Sequence, residues 1–331
     1  MTPTPHDGST LPAIPVLATG PDFPLETLLR EQARAHALLD AATHRIPLAA
    51  LRSLDSVSRR WILRSGDPDK LAELDQIAGH LARPGAYFLS VNYEWGCTVC
   101  VTPDEAGEAA RLVRVLDWRT RGLGRYAMAV EVAGRAGPFV TLTWPGYTGV
   151  LQAVAPGRFA AALNQAPMRS PIGVMPLDWA ANRVRIWNRP HLPPAHLLRQ
   201  AFDTAPSYAA ARRLLTETPI AAPCIYSLAG LDPRETCIIE RTEQRAQVFE
   251  GRSVAANHWQ TPGWPAGRMH GVAADLDAES FNWLTPPILN PNTRLVMIAE
   301  AMSGRLIAQG FEADGPATAV LRHTARSLVP A

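Results

Sequence analysis

"YEWGCTVCVT", residues 93–102, holds Cys97 and Cys100 at C-x-x-C spacing. A redox pair of this kind sits at a helix N-terminus, where the dipole lowers the thiol pKa. Here the β-branched Thr98, Val99 and Val101 favour an extended strand instead. Side chains alternate faces along a strand, so positions three apart point to opposite sides and the two thiols cannot meet. A zinc site needs a second ligand pair, and Cys224 and Cys237 have no neighbouring C-x-x-C or H-x-x-x-H. No metal and no cofactor is therefore expected. Cys100, Cys224 and Cys237 read as small buried hydrophobes, the common fate of a free cysteine.

Outward from this strand the pattern stays extended. Short strands punctuated by turn residues are expected at 97–102, 111–117, 126–133, 139–145, 148–154 and 158–164. More follow at 223–229, 235–241, 245–250 and 253–257, and "TRLVMIAEAMSGRLIAQGFE" reads as a hairpin turning at Ser303-Gly304. Upstream, residues 25–83 carry apolar positions at three- and four-residue spacing, as helices with one buried face do. Two further helices are expected near 194–203 and 206–217. Residues 1–24, rich in Pro, Gly, Thr and Ser, read as an extended arm. Helices segregated from runs of antiparallel strands predict a layered α+β fold.

The composition excludes several classes of function. With 331 residues and 47% hydrophobic content the chain can bury a substantial core. The net charge of +2 comes without a concentrated basic run, so no nucleic-acid partner is expected. Lys70 is the only lysine, so the cationic groups are almost all arginine. The opening residues lack a basic and apolar leader pattern, and no stretch reaches the ~18 apolar residues of a membrane span. Four cysteines fit a reducing compartment, and a cytoplasmic location is expected. The charge pattern of the helical section is that of a solvated face and leaves membrane contact open.

Cys97 differs from the other cysteines because Gly96 precedes it. Glycine reaches backbone conformations closed to other residues and places no side chain in the way of attack on its own carbonyl. Attack by the Cys97 thiol would convert the Gly96–Cys97 peptide to a thioester, and hydrolysis would leave Cys97 as a new N-terminus. Its α-amine, with a reference pKa of about 7.7 to 8.0, would then serve as general base for its own thiol.

The stretch "GCTVCVTPDEAGEAARLVRVLDW" resembles the start of the catalytic chain in the acid ceramidase and N-acylethanolamine acid amidase family, part of the choloylglycine-hydrolase-like N-terminal nucleophile hydrolases. The likeness lies in Cys97-Thr98, the turn from Asp104 to Gly107, and Arg114-x-x-Asp117-Trp118. It continues in Gly146-Tyr147-x-Gly149, Pro156-Gly157-x-Phe159 and Leu163-Asn164, then in "SVAANHWQTP" and "PPILNPNTRLVMIAEAMSGRLIAQ", over roughly residues 70–312. The resemblance implies a four-layer αββα sandwich with an N-terminal helical section. It implies a pro-segment or small subunit over 25–96, a catalytic chain over 97–331, and halves that stay associated after cleavage between Gly96 and Cys97.

The resemblance also implies roles. Cys97 is the nucleophile, Arg114 lies close to its thiol, and Asp117 accepts a hydrogen bond from the freed amine. Asn164 and Asn257 offer side-chain donors to the oxyanion, and Arg268 corresponds to a later arginine of the family. A regular strand over 111–117 would turn Arg114 and Asp117 to opposite faces, so a bulge or an early strand end is expected there. Trp118, Trp144, Tyr147, Trp259 and Trp264 are candidates to line an apolar pocket, although core packing explains aromatics as well. The implied reaction is hydrolysis of the linear amide of a small-molecule N-acyl amine, ceramide-like, N-acylethanolamine-like or N-acyl amino acid-like. Acyl transfer to an amine, or binding without hydrolysis, is the alternative.

Overall fold

The computed structural model describes residues 11–64, 68–87, 95–187, 189–264, 267–268, 281 and 283–325. Strand β1 (Val16–Thr19) is followed by helices α1 (Phe23–Arg30), α2 (Gln32–Thr43), α3 (Leu48–Arg64) and α4 (Pro68–Leu81). The C-x-x-C stretch is a strand, β2 (Trp95–Pro103), and pairs antiparallel with β3 (Ala110–Trp118). Then come β4 (Met128–Val132), β5 (Phe139–Thr143), β6 (Gln152–Ala155), β7 (Phe159–Gln165) and the short β8 (Met168–Arg169). Helices α5 (Met175–Trp187), α6 (Pro194–Thr204) and α7 (Tyr208–Glu217) lead to β9 (Cys224–Ala229), β10 (Thr236–Arg241), β11 (Ala246–Glu250), β12 (Ser253–Ala255) and β13 (Gly267–Arg268). The chain closes with β14 (Thr293–Glu300), β15 (Arg305–Glu312), β16 (Gly315–Pro316) and β17 (Leu321–Thr324).

The strands form two large sheets. One runs β1-β4-β5-β6-β7-β9-β10-β11, the other β12-β2-β3-β14-β15-β16 with β17 also on β15. Alternation along β2 explains how they stack. Val99 and Val101 point inward with Leu112 of β3 and meet Val140, Leu142 and Ala162 of the facing sheet. Cys100, Val113 and Val115 point the other way, under Trp283, Leu284 and Ile288. The outer face of the larger sheet, including Val130, Phe139 and Phe159, is covered by Leu197, Leu198, Phe202 and Leu215 of α6 and α7. The N-terminal helices pack on one another through Leu28, Leu39, Ile77 and Leu81. This is the layered α+β sandwich expected from the sequence.

Several details depart from the expectation. Residues 16–19, within the supposed arm, form an edge strand that pairs parallel with β4. The α5 helix was not foreseen, because its apolar residues make no clean stripe: Met175, Leu177 and Val184 are exposed. The hairpin of β14 and β15 does turn at Ser303-Gly304, where Gly304 has φ 66° and an added Cβ would lie 2.4 Å from the carbonyl oxygen of Ala325.

Candidate active site

Cys97 projects from β2 into the space between the sheets and is wholly buried. Its cross-strand partner is Leu116, and Arg114, opposite Val99, shares the same face. The Arg114 guanidinium is also fully buried, and its Nη2 donates to Cys97 Sγ at 3.1 Å. It is held there by three acceptors on the neighbouring sheet. Nη1 donates to the Leu151 carbonyl at 3.1 Å and to Gln152 Oε1 at 2.7 Å, and Nη2 donates to the Leu163 carbonyl. A planar fork so anchored is a fixed positive charge beside the sulfur. Burial pushes the thiol up to about 11, against the opposing pull of Arg114 and of a hydrogen bond from the Gln165 backbone.

Asn257 sits just past β12 and is almost fully buried. Its Oδ1 accepts from the Cys97 backbone N–H at 2.6 Å, and its Nδ2 donates to the Gln165 carbonyl at 2.7 Å. The loop that carries it is tied down by buried Glu240, which accepts from the N–H of Gln260 at 2.5 Å and the hydroxyl of Thr261 at 2.6 Å. Asn164, on the inward face of β7, donates Nδ2 to the Ala256 carbonyl at 3.4 Å, and its Oδ1 has no hydrogen-bond partner. The amide nitrogens of both asparagines thus face carbonyls, whereas the resemblance implied that they are donors to an oxyanion. For Asn257 the reason is local: the Cys97 N–H takes its Oδ1, which leaves Nδ2 for the Gln165 carbonyl.

Asp117 pairs with Gly96 in a strand that continues to Trp118, so no bulge or early end occurs in β3. Arg114 and Asp117 do face opposite ways. The register irregularity lies instead in β14, between Thr293 and Leu295. Arg114 serves the sulfur on one face, and Asp117 stands beside the Gly96 backbone on the other. Its carboxylate accepts from Asn290 Nδ2 at 2.9 Å and Thr293 Oγ1 at 2.8 Å. Burial nonetheless raises its pKa, partly countered by these two hydrogen bonds. Asn290 and Thr293 were missed in the sequence although both lie in the quoted "NPNT"; a polar pair just before an apolar strand was the available signal. Gln152 and Gln165 gave no signal at all.

The Gly96 backbone lies outside the left-handed region, and the nearest described atoms to a Cβ there are Asp117 Cβ at 3.4 Å, Asn257 Oδ1 at 3.7 Å and the Asp117 carbonyl oxygen at 3.9 Å. Its permissiveness is not what this strand requires. Trp118, Trp144 and Tyr147 stack edge to face, with centroids 6.0 and 5.9 Å apart. They wall an apolar cavity whose other side is Leu38, Ile77 and Leu81 of α2 and α4. The Tyr147 hydroxyl finds no hydrogen-bond partner. Trp259 stands apart and packs on Trp264 at 4.8 Å. Arg268 pairs through its backbone with Met168, and its side chain lies outside the described residues.

No family model matches the chain. It is 29% identical over 114 residues to acid ceramidase of Homo sapiens, covering 34% of this chain and 27% of that protein. It is 28% identical over 116 residues to acid ceramidase of Bos taurus, again 34% of this chain and 27% of that one. The match thus spans about a quarter of the length of these relatives. In fold it is similar to a Caenorhabditis elegans N-acylethanolamine-hydrolyzing acid amidase ortholog, with TM-score 0.51 and 19% identity over 69% of this chain and 100% of the other. These findings bear out the resemblance read in the sequence: the chain is similar to acid ceramidase over about a third of its length and shares its fold with the acid amidase ortholog.

Proposed function

We propose that the protein is an autoproteolytic cysteine amidase that hydrolyses the linear amide of an N-acyl amine through an acyl-thioester. The observation that carries this reading is the pairing at one residue: Arg114 donates to Cys97 Sγ while Asn257 accepts from Cys97 N–H. In the precursor the sulfur attacks the Gly96 carbonyl carbon, the C–N bond breaks and the Cys97 nitrogen takes up a proton. Water then hydrolyses the thioester, releasing the Gly96 carboxylate and restoring the thiol.

The freed amine stays within reach of Asn257 Oδ1 and adjacent to Asp117, which orient its lone pair toward the thiol. The same sulfur next attacks the substrate amide, the amine leaves, and water clears the acyl group. The cavity of Trp118, Trp144 and Tyr147 is apolar enough to take the acyl chain. Intact mass of the wild-type chain beside Cys97→Ala tests the first step. Fragments of residues 1–96 and 97–331 are expected from wild type alone, and an uncut wild type from pH 4 to 9 would refute self-processing.

A further inference from the structure

Arg114 is a buried cation whose partners among the described residues, the sulfur apart, are all neutral. Its guanidinium donates to the Leu151 and Leu163 carbonyls, to Gln152 Oε1 and to Cys97 Sγ, and no described carboxylate forms an ion pair with it. Other arginines of the chain do meet acids: Arg199 forks to Glu73, and Arg294 lies 3.8 Å from Glu312. Besides the sulfur, the one side chain that anchors Arg114 among the described residues is Gln152 of β6, fully buried and 2.7 Å away.

Glutamine is not the residue that hydrogen bonding alone requires here. Its Oε1 is engaged by Arg114, but its Nε2, also buried, donates to no described residue. A glutamate of the same shape would offer Arg114 the same acceptor and forfeit no hydrogen bond to a described residue. It would also supply the charge with which a buried guanidinium is normally compensated. What the amide keeps out is therefore a negative charge. Around the thiol, Arg114 has no substitute. Burial drives the thiol toward its neutral form, and Arg114 is the chief opposing influence, while Asp117 across the strand adds to the upward push. Arg294 acts on Asp117, and Tyr147, which feels Arg114, is itself pushed upward by burial and stays neutral. Asn164 and Asn257, on the remaining sides, carry no charge.

We infer that Gln152 is a positioning residue for the proposed reaction: it anchors Arg114 without neutralising it, and so leaves the Cys97 thiolate as the counter-ion that the guanidinium lacks. This rests on the reading of Cys97 as the nucleophile. A carboxylate at position 152 would compete with the sulfur for the same cation. A charge introduced at such range moves a neighbouring titration by about 1 to 3 pH units, which is about tenfold or more in thiolate at a fixed pH.

The test is Gln152→Glu in the full chain, beside wild type and Gln152→Met, which removes the acceptor and adds no charge. Two quantities are read. One is the rate of self-processing from pH 7 to 9 by intact mass. The other is the thiolate itself, as ultraviolet absorbance from pH 7 to 10, less that of the same chain carrying Cys97→Ala. Gln152→Glu is expected to lower both by about tenfold or more, while its Tm holds or rises because the guanidinium gains a counter-ion. Gln152→Met is expected to lower Tm, through the lost anchor, yet to keep more thiolate than Gln152→Glu. A glutamine that served packing alone would make Tm, rate and thiolate fall together in both variants, and that result overturns the inference. So does a thiolate signal in Gln152→Glu equal to wild type, or a Gln152→Glu chain that does not fold. If wild type never cleaves itself, self-processing is refuted, and the absorbance comparison, which needs no cleavage, decides the inference alone: a signal lowered in Gln152→Glu and kept in Gln152→Met upholds it, and any other pattern overturns it.

Discussion

Cys97 and Cys100 are both buried, yet they lie in different cores, and their substitutions should separate cleanly. Cys97→Ala is expected to abolish processing and turnover. Cys100→Ala should keep both and lose roughly 1 kcal/mol of stability, the cost of a small buried group. Denaturant melts and intact mass check the pair, and equal loss of processing would refute the assignment. Arg114→Lys keeps the charge but cannot span Leu151, Gln152, Leu163 and the sulfur together. It is expected to cut kcat/KM by about tenfold or more. The pH dependence follows from the thiol, pushed up to about 11 in the uncleaved chain. Below that value the thiolate fraction grows with pH, so processing should accelerate by roughly tenfold per unit between pH 6 and 9. A rate that climbs toward acid instead would count against attack by the thiolate.

Outside the site, the turn at Gly124 approaches the β15 backbone closely. A Cβ on Gly124 would lie 1.9 Å from the Phe311 carbonyl oxygen, and one on Gly310 would lie 2.1 Å from the Gly124 carbonyl oxygen. Gly124→Ala must therefore push β15 away and is expected to cost about 2 kcal/mol or more, read as a lower Tm. Gly96→Ala, whose Cβ meets nothing closer than 3.4 Å, should fold normally and still process. The strands from β2 to β7, from β9 to β12, and the β14–β15 hairpin were legible because apolar alternation and turn residues are local signals. The α5 helix was not, because its exposed Met175, Leu177 and Val184 blur the helical stripe. Strand β1 was hidden for another reason: four residues pair with β4 more than a hundred positions later, and nothing local records the partner.

At the scale of the whole molecule, the N-terminal helices are bound to the sandwich by more than the chain that connects them. Arg199 of α6 makes a fork to Glu73 of α4 at 2.7 and 2.9 Å and lies 4.8 Å from the Phe23 ring centroid. Strand β1 adds ladder hydrogen bonds to the larger sheet. After cleavage the two fragments are therefore expected to co-elute in size-exclusion chromatography and to part only in denaturant. Glu73→Ala, which leaves Arg199 without its fork, should lower the stability of the cleaved pair by about 2 kcal/mol.

The residue types and their spacing were enough to establish the strand through Cys97, the opposite facing of the two cysteines, and the resemblance to acid ceramidase. These rest on periodicity and on motifs written in consecutive residues. The pairing of Arg114 with the thiol was reached through the family resemblance, and the geometry supplied its anchors on β6 and β7. Asn290 and Thr293 around Asp117, and the carbonyl end of Asn257 toward Cys97, came from the tertiary structure alone. Each joins residues distant in the chain, and their approach depends on sheet stacking and loop anchoring that no local pattern encodes.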